Sequence, residues 1–365
     1  MFRDVSAPRE ADAAAHHPAE TADGRPRSRR IRRAQRRANR AQRRANRAPA
    51  ARRVRRVVGV LVLGILAVVG LSLGKALARG SDPASVKFVE WVRAHGGSGI
   101  VNVIERTWYE HHQPSKGGTP KGGIPKVPAP IGPAKTPTIA AVARKRTADR
   151  YVPRSINAIA SPALPGEGVW QPTGRLVHGR PALYETFLRP DRGHTSLLAG
   201  VAWLDRRALR AVVYNGNDQP GGSGWIHGDH VQPSGTSSLV AAFNGGFRLD
   251  MAQGGYQSEG RVVRPLVPGR ATFGVRADGT VDVGTWGRDL LPTTPYAAAF
   301  QCLDLIVDNG NDVQGLTRDD HLRWGQTLGG RVFVWRSGVG IDTRGNLVYA
   351  AGMLDIVSLA DILRA

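Results

Sequence analysis

The sequence has little cysteine, few acidic residues and none of the common catalytic signatures. Its single cysteine, Cys302, excludes an intramolecular disulfide framework and a zinc module with four cysteine ligands. The 365 residues contain no G-x-S-x-G, no Walker A sequence and no H-E-x-x-H. The sequence therefore does not indicate a nucleophile-elbow hydrolase, a P-loop NTPase or a zincin.

The shortage of acidic residues leaves 29 of them against 51 lysines and arginines, a formal net charge of +22. Most of this excess lies in residues 1–56, which hold eighteen arginines and five acidic residues. Within them the unit RAQRRAN occurs twice, at Arg33–Asn39 and Arg40–Asn46. No large apolar residue repeats with this unit, so it does not predict a coiled coil. Because like charges repel, we expect a disordered or only transiently helical tail over residues 1–56.

A long uncharged run follows this tail. Residues 57–74 read VVGVLVLGILAVVGLSLG, and a helix of that length, about 27 Å, is enough for the hydrocarbon core of a bilayer. The sequence predicts a transmembrane anchor over residues 57–78. A cleaved signal peptide is one alternative, because Ala76-Leu77-Ala78 offers an A-x-A site, although the preceding leader is very long. A buried core helix is the other, although the run has no polar face.

The distribution of arginine about the anchor predicts its orientation. Arginines crowd the side before Val57, so the positive-inside rule places the N-terminus in the cytoplasm and the C-terminal domain outside the plasma membrane. The arginine-rich tail is expected to bind anionic lipid of the inner leaflet. Such a run also suits nucleic acid, but its position beside the anchor disfavours that partner.

Two accessory segments precede the folded domain. Apolar residues at helical spacing predict a helical juxtamembrane segment over residues 79–112, in two pieces separated by glycines. Proline recurs seven times from Pro114 to Pro137 among glycine and lysine, which predicts a solvated linker over residues 113–150. The folded domain is expected to occupy residues 151–365.

Short β-type runs dominate this domain. We therefore expect an α+β fold, a mixed β-sheet domain with few helices, preceded by the transmembrane helix and the basic disordered tail. The turn Asp278-Gly279 predicts a hairpin, and Val357–Leu363 predicts a helix. The predicted strands are Ser196–Leu204, Leu209–Tyr214, Ser238–Phe243, Arg261–Val263, Thr272–Val275, Val281–Gly284, Leu303–Val307, Val332–Trp335 and Leu347–Tyr349.

Two segments carry residue types suited to substrate binding. At Phe243-Asn244-Gly245-Gly246 a predicted strand ends in an amide side chain and two glycines, which allow close approach to the backbone. At Trp335-Arg336-Ser337 a strand runs into a polar, glycine-broken segment, where an arginine suits a phosphate or carboxylate. Taken alone, these patterns are also compatible with a self-bonding turn and a surface ion pair.

In its order and spacing, a set of motifs resembles the phosphodiester glycosidase family, which is related to the uncovering enzyme that removes N-acetylglucosamine from a phosphodiester. The resemblance covers about residues 150–365, and the organisation of the chain is similar to that of actinobacterial membrane-anchored members. The motifs are Ala242-Phe243-Asn244-Gly245-Gly246-Phe247, Gly254-Gly255-Tyr256, Gly260-Arg261-Val262-Val263, Thr272-Phe273-Gly274-Val275, Asp278-Gly279-Thr280, Leu305-Ile306-Val307-Asp308-Asn309-Gly310, Arg336-Ser337-Gly338-Val339-Gly340-Ile341-Asp342 and Leu359-Ala360-Asp361-Ile362-Leu363.

The resemblance implies a role for each matched residue. Asn244, with Gly245 and Gly246, would contact the sugar or the phosphate. Arg336, with Ser337 beside it, would bind and neutralise the phosphodiester. The sequence leaves two roles open for Asp342, which lies beyond this run: it would either react or support the loop.

Cleavage of a sugar 1-phosphodiester at the anomeric carbon passes through an oxocarbenium-like transition state, and phosphate is a good leaving group. Such a site needs a cation for the phosphate and a carboxylate that activates water or attacks the anomeric carbon. The candidate catalytic carboxylates are Asp342, Glu259, Asp250 and Asp229. His227-Gly-Asp229-His230 has metal-ligand residue types, but we expect a polar loop there and a site without metal or cofactor.

The family usually continues past its Leu-Ala helix into a strand and an acidic segment, often Asp-Gly-Gly-Gly-Ser, whereas this sequence reaches Ala365 where that strand would begin. Two functions are therefore predicted. The first is a membrane-anchored, extracytoplasmic phosphodiester glycosidase that hydrolyses a sugar-1-phosphodiester of cell-envelope or exopolysaccharide glycans. The second is a catalytically inactive module of the same fold that binds a glycan or a protein.

Overall fold

The computed structural model describes residues 27–78, 83–132, 152–216, 219–317, 323–324 and 333–365. For residues 27–32, residues 41–56 and Asp250 it describes the backbone alone. The chain divides into two units, Met1–His95 and Gly96–Ala365.

The first unit is dominated by one long helix, α1 (Arg27–Ala78). Its first part is the backbone of the arginine-rich run, for which the sequence predicts a disordered or only transiently helical tail. Its last part, Val57–Ala78, is 22 residues long, apolar and unburied, and is long enough to cross a membrane. Near its end Ser72 Oγ accepts a 3.0 Å hydrogen bond from the indole of Trp91, on α2 (Ala84–Val92).

The stretch between this apolar helix and the β-sheet domain is helical. After α2 come a π-helical turn at Arg93–Gly97 and helix α3 (Ser98–His111). Glycines therefore fall at the junction between the two helices, as the spacing of apolar residues predicts. Trp108 and His112 stack at the end of α3, with ring centroids 4.4 Å apart.

From residue 152 onward, the described part of the second unit is built from antiparallel strands, two short α-helices and a 3-10 turn, which confirms the α+β class. The helices are α4 (Leu249–Ala252) and α5 (Ile356–Arg364). The strands are β1 (Gln171–Val177), β2 (Arg180–Leu188), β3 (Ala199–Leu204), β4 (Tyr256–Ser258), β5 (Arg261–Arg264), β6 (Ala271–Arg276), β7 (Val281–Thr285), β8 (Tyr296–Gln301), β9 (Val307–Asp308), β10 (Asn311–Asp312), β11 (Val334–Ile341) and β12 (Leu347–Leu354).

Ten of these strands form two five-stranded sheets. Sheet I has the order β1-β2-β3-β12-β11, and sheet II has the order β5-β4-β8-β6-β7. Strands β9 and β10 form a separate two-stranded ribbon. The turn at Asp278-Gly279 joins β6 to β7, and Asp278 Oδ1 accepts a 2.9 Å hydrogen bond from the backbone of Thr280. The predicted hairpin is therefore confirmed.

Sheet I separates two hydrophobic clusters. On one face, alternate residues of β2, β3 and β12 pack with Leu359 and Ile362 of α5. On the other face, Leu204 and Leu347 pack against Phe273 of sheet II. The order of layers is therefore α5, sheet I and sheet II, with the second face of sheet I covered by sheet II at one end.

Three predicted strands do not form as predicted. Residues 209–214 and 238–243 lie outside any strand, although Ala211 N donates to Gly279 O at 2.9 Å. Of residues 303–307, only Val307 belongs to a strand, β9. Conversely, the sequence did not predict β1, β2, β4 and β8. β8 contains three alanines, and β1 contains Pro172 and Gly174, so both have low β propensity and depend on their neighbours for pairing.

Residues 113–132, which the composition assigns to a linker, lie along the second unit in the structure. Gly117 N donates to Gly193 O at 2.7 Å, and Ile131 forms a parallel bridge with Arg175 at the edge of sheet I. The remainder of the predicted linker, residues 133–150, lies outside the described residues.

Candidate functional site

The best candidate site is the part of sheet I that sheet II leaves partly exposed. Two rows of paired residues define it. Glu185 pairs with Ala202, which pairs with Tyr349, and directly paired residues share one face of a sheet. In the next row Gly200 pairs with Phe187 and Ala351, and Ala351 pairs with Ser337. We call this surface the open face.

The middle of the open face is formed by small residues. Gly200, Ala202 and Ala351 are each partly exposed, whereas their sequence neighbours on β3 and β12 are buried under α5. Glu185 and Tyr349 stand on either side of Ala202, two strand spacings or about 10 Å apart. Ala202 therefore leaves a shallow floor between two larger polar side chains, and the ring of Phe187 lies against Gly200 in the next row.

The segment with the sequence Phe243-Asn244-Gly245-Gly246 lies across this face. The ring of Phe243 stacks on Tyr349, with centroids 4.6 Å apart and planes 29° apart. Earlier in the segment, Arg175 Nε donates to Leu239 O at 3.4 Å. Contacts at both ends thus hold a segment without secondary structure over sheet I.

The two glycines of this segment lie against sheet II. A Cβ atom on Gly245 would lie 3.0 Å from Phe300 Cζ, and one on Gly246 would lie 3.3 Å from Phe300 Cδ2. Gly246 also has φ +81°, which side chains disfavour. Glycine at these positions therefore lets the backbone pass close to Phe300 and leaves Asn244 exposed at the surface.

Glu185 is the residue on the open face that sequence reasoning missed. Its side chain is partly buried, and desolvation raises the pKa of its carboxyl group. It has no hydrogen-bond or ion-pair partner among the described residues. The sequence signal that could have identified it is a single acidic residue in an otherwise uncharged stretch from Ala182 to Leu188, most of which is buried in the structure.

The β1 side of Glu185 is closed by a hydrogen-bonded side chain. Gln171 pairs directly with Glu185, but its amide is occupied elsewhere. Its Oε1 accepts from Val127 N at 3.2 Å, and its Nε2 donates to Pro125 O at 3.0 Å. The segment around Lys126 therefore borders the open face, and Gln171 does not neutralise Glu185.

The structure separates Arg336 from the other predicted substrate-binding residues. Gly338, two residues later on β11, faces Leu359 and Leu363 of α5, and Arg336 shares that face. Arg336 Nε donates to Leu354 O at 3.0 Å. Burial lowers the pKa of its guanidinium, against the opposing effect of Asp355. Ser337, on the alternate face, is exposed on the open face, and the exposed Asn244 directly follows Phe243, whose ring stacks on Tyr349 of the same sheet.

Asp342 lies in the turn between β11 and β12. Its carboxylate accepts from Trp203 Nε1 at 3.0 Å, from Asn346 Nδ2 at 2.9 Å and from two backbone N–H groups of the turn. Burial opposes its ionisation, but these donors together lower its pKa. The contacts are those of a residue that supports the turn.

Glu259 lies at the turn between β4 and β5 and holds another loop. It accepts from the backbone of Ile226 at 2.7 Å and of His227 at 2.8 Å, and His227 Nδ1 lies 3.1 Å from its Oε1. Burial opposes ionisation, but these hydrogen bonds lower the pKa of its carboxyl group. Beside it, Asn215 accepts a 2.7 Å bond from the buried hydroxyl of Tyr256.

The two remaining candidate carboxylates are placed differently. Asp250 lies in the short helix α4, where its backbone alone is described. Asp229 is exposed, and its Oδ1 lies 2.7 Å from His230 Nδ1. The three residues of metal-ligand type in this loop therefore do not converge on one point. Asp229 and His230 bond to each other, whereas His227 bonds to Glu259.

A second concave region has a volume of about 490 Å³ and is lined by charged residues that pair with one another. Arg288 binds Asp308 at 2.7 Å and Asp289 at 2.6 Å, while Asp304 binds Arg270 and Arg323 at 2.9 Å each. Its carboxylates are held by arginines, in contrast to Glu185.

Comparison with known proteins gives little. No family model and no curated protein matches the sequence. Among solved structures, the chain is similar to the zebrafish N-acetylglucosamine-1-phosphodiester alpha-N-acetylglucosaminidase catalytic domain, auto-inhibited by its pro-peptide. The TM-score is 0.31 at 16% identity, over 53% of this chain and 71% of that chain. A likeness this low establishes neither a shared fold nor a shared activity.

Proposed function

We propose that the protein is a membrane-anchored hydrolase of sugar-1-phosphodiesters of cell-envelope or exopolysaccharide glycans, with the open face as its substrate site. One observation carries the proposal. The Phe243-Asn244-Gly245-Gly246 segment, which carries the resemblance to phosphodiester glycosidases, crosses the face of sheet I that also presents Ser337 and Glu185.

The dimensions and chemistry of the open face suit a sugar ring. Ala202 gives the floor its one short side chain, the ring of Phe187 lies against Gly200 beside it, and the Phe243–Tyr349 stack supplies an apolar wall. Aromatic surfaces pack against the apolar faces of flat ligands, while a few polar groups fix their orientation. Asn244 and Ser337 are exposed polar groups, and we assign them to the orientation of such a ligand.

The phosphate is assigned to the glycine backbone. Gly246 has φ +81°, and successive backbone N–H groups around such a residue form concavities that bind anions. Arg336 lies on the face away from the substrate, so we do not assign it to the phosphate. Its role is to hold the junction of β12 and α5, through its bond to Leu354 O and its attraction to Asp355.

The experiment uses the full chain in detergent with an α-N-acetylglucosamine 1-(methyl phosphate) diester as the probe, a choice that follows the family resemblance. We expect release of free sugar and methyl phosphate, which phosphorus and proton NMR detect. Ala202→Leu, which fills the floor, should abolish release without lowering Tm, whereas Ala277→Leu in the exposed β6–β7 turn should retain it. Absence of release by the wild type, or equal release by Ala202→Leu, would contradict the proposal.

The second candidate function is glycan binding without turnover. The observation that favours it is the composition of the open face, where no paired position of β2, β3, β11 or β12 on that face holds lysine or arginine. Calorimetric binding of the same diester, with the diester recovered intact, would support this alternative.

The location proposed for this activity is the outer side of the plasma membrane. The helix at Val57–Ala78 is consistent with a single-pass anchor, and the arginines before it favour a cytoplasmic N-terminus that binds anionic lipid. The double substitution Leu63→Arg with Leu66→Arg should move the protein from the carbonate-resistant membrane fraction to the supernatant, since each charge costs about 3 kcal/mol at the centre of a membrane helix. Protease added to intact cells should digest the domain but spare the tail.

A further inference from the structure

The carboxylate of Glu185 is in an unusual position for a charged group. It is partly withdrawn from water, and no described residue donates a hydrogen bond to it or pairs with it. Removing an ionised group from water without compensation costs free energy, so such a group is seldom retained for stability. Clefts with a desolvated, perturbed carboxyl group are frequent sites of catalysis.

From this placement we infer that Glu185 is the catalytic base, which takes a proton from the water that attacks the anomeric carbon. The inference rests on the proposed function and adds the reacting group to it. Glu185 faces the floor at Ala202, and the aromatic wall at Tyr349 stands about 10 Å away across the paired strands. A sugar ring on that floor would present its anomeric carbon to water held by the carboxylate.

The step balances without any further reactant. A lone pair of the water oxygen forms the new bond to the anomeric carbon, and one water proton moves to Glu185. The bond between the anomeric carbon and the bridging phosphate oxygen breaks, and its electron pair stays on the phosphate. The products are the free sugar and a phosphate monoester, and Glu185 returns its proton to solvent.

A one-step displacement of the phosphate by water needs only one carboxylate on the open face. A phosphate leaves as a stable anion, so the reaction does not need a second carboxyl group to protonate the leaving oxygen. A covalent route would occupy Glu185 in the glycosyl intermediate and require another base for its hydrolysis. Among the described residues, Glu185 is the one carboxylate at a paired position on the open face. Inversion at the anomeric carbon is therefore expected.

The other described candidate carboxylates are occupied. Asp342 accepts from four donor groups, three in its turn and the indole of Trp203, and Glu259 accepts from the backbone of the loop at Ile226. Each has its pKa lowered, which makes it a weaker base, whereas desolvation raises the pKa of Glu185. The titratable and charged side chains on the elements around Glu185 are Tyr349 on β12, Arg175 on β1 and Lys126.

The test compares Glu185→Gln with the wild type on the diester described above, with Asp278→Asn in the β6–β7 turn as the control carboxylate. We expect kcat to fall about 100- to 10,000-fold, as for loss of a general base, while the calorimetric Kd for the diester stays unchanged and Tm does not fall. The acid limb of the kcat/KM profile should disappear in Glu185→Gln. Asp278→Asn should behave as the wild type.

Two further readouts make the outcomes distinct. In Glu185→Ala with azide, the expected product is the glycosyl azide of inverted configuration, because azide needs no base. A kcat for Glu185→Gln within threefold of the wild type, or a wild-type product of retained configuration, would overturn the inference and leave the proposed function standing. Absence of turnover by the wild type would overturn both.

Discussion

Phe243 and Tyr349 stack with ring centroids 4.6 Å apart, although Phe243 lies in an extended segment and Tyr349 in the middle of β12. This contact fixes the segment that carries Asn244 over sheet I. Both rings remain partly exposed, so the stack adds more to the shape of the open face than to the core.

Removal of this stack is expected to weaken substrate binding. Phe243→Ala should raise KM for the sugar diester several-fold and lower the unfolding free energy by about 1 kcal/mol, the usual worth of an aromatic pair. Phe247→Ala is the matched control, since Phe247 is also exposed and makes no ring contact among the described residues. Steady-state kinetics and thermal unfolding measure both effects. Equal KM increases in the two variants would show that the stack has no special role.

Gly246 is expected to be needed for its close approach to Phe300 as well as for its backbone conformation. Gly246→Ala and Gly269→Ala both place a side chain at positive φ, +81° and +85°, at a cost of about 1 kcal/mol each. A Cβ atom on Gly246 would also lie 3.3 Å from Phe300, whereas Gly269 has open space. A larger loss in Tm for Gly246→Ala than for Gly269→Ala, and a loss of substrate affinity in Gly246→Ala alone, are therefore expected. Loss of substrate affinity in both variants would show that the loss results from reduced stability and not from the contact with Phe300.

The buried pair Arg189–Glu167 is expected to make stability depend on pH. Burial opposes ionisation of Glu167, but bonds from Arg189 and from the backbone of Leu164 and Arg189 lower its pKa. Since the folded pKa lies below the ordinary value of 4.5, the stabilisation is complete above pH 4.5 and is lost as the pH falls through the folded value. Denaturant unfolding at several pH values measures this.

Loss of one partner of this pair should be costly. Glu167→Gln should lower the unfolding free energy by about 3 kcal/mol at pH 7, because it leaves Arg189 buried with its charge uncompensated. Asp361→Asn, which breaks the surface pair with Arg364, should cost less than about 1 kcal/mol. A similar small cost for both would mean that Arg189 is hydrated in the variant.

Asp342 is expected to act through the turn between β11 and β12. The Asp342 carboxylate accepts from four donor groups, and Asp342→Asn replaces one of its two accepting oxygens by an amide nitrogen. The variant should therefore lower the unfolding free energy by about 1 to 3 kcal/mol, with kcat nearly unchanged at 20 °C. The fluorescence of Trp203, whose indole donates to Asp342, reports the local change. A large loss of kcat at unchanged Tm would instead assign Asp342 a role in the reaction.

Local patterns predicted the elements that depend on local chemistry. The Asp278-Gly279 turn and the C-terminal helix were recognised because turn residues and apolar spacing act within a few residues. That helix begins after Asp355, whose carboxylate accepts a 2.7 Å bond from Ser358 N as an N-terminal cap.

The composition of the open face was not predictable in the same way. Glu185 lies on a strand without a recognised motif, and its position in the same row as Tyr349, with Ala202 between them, results from pairing across more than 160 residues of chain. The sequence also could not predict which face of sheet I the Arg336 side chain lies on, because a shift of one residue in the register of β11 would move it to the other face.

Because successive side chains along each strand of sheet I lie on opposite faces, residues on one face can be substituted without altering the other face. Ala199 and Val201 are buried under α5, and substitutions there alter whether the chain folds. Gly200 and Ala202, between and beside them, border the open face. A single strand can therefore diverge in what it recognises while its fold is preserved, and new ligand preferences are accessible to this scaffold by changes at every second position of β2, β3, β11 and β12.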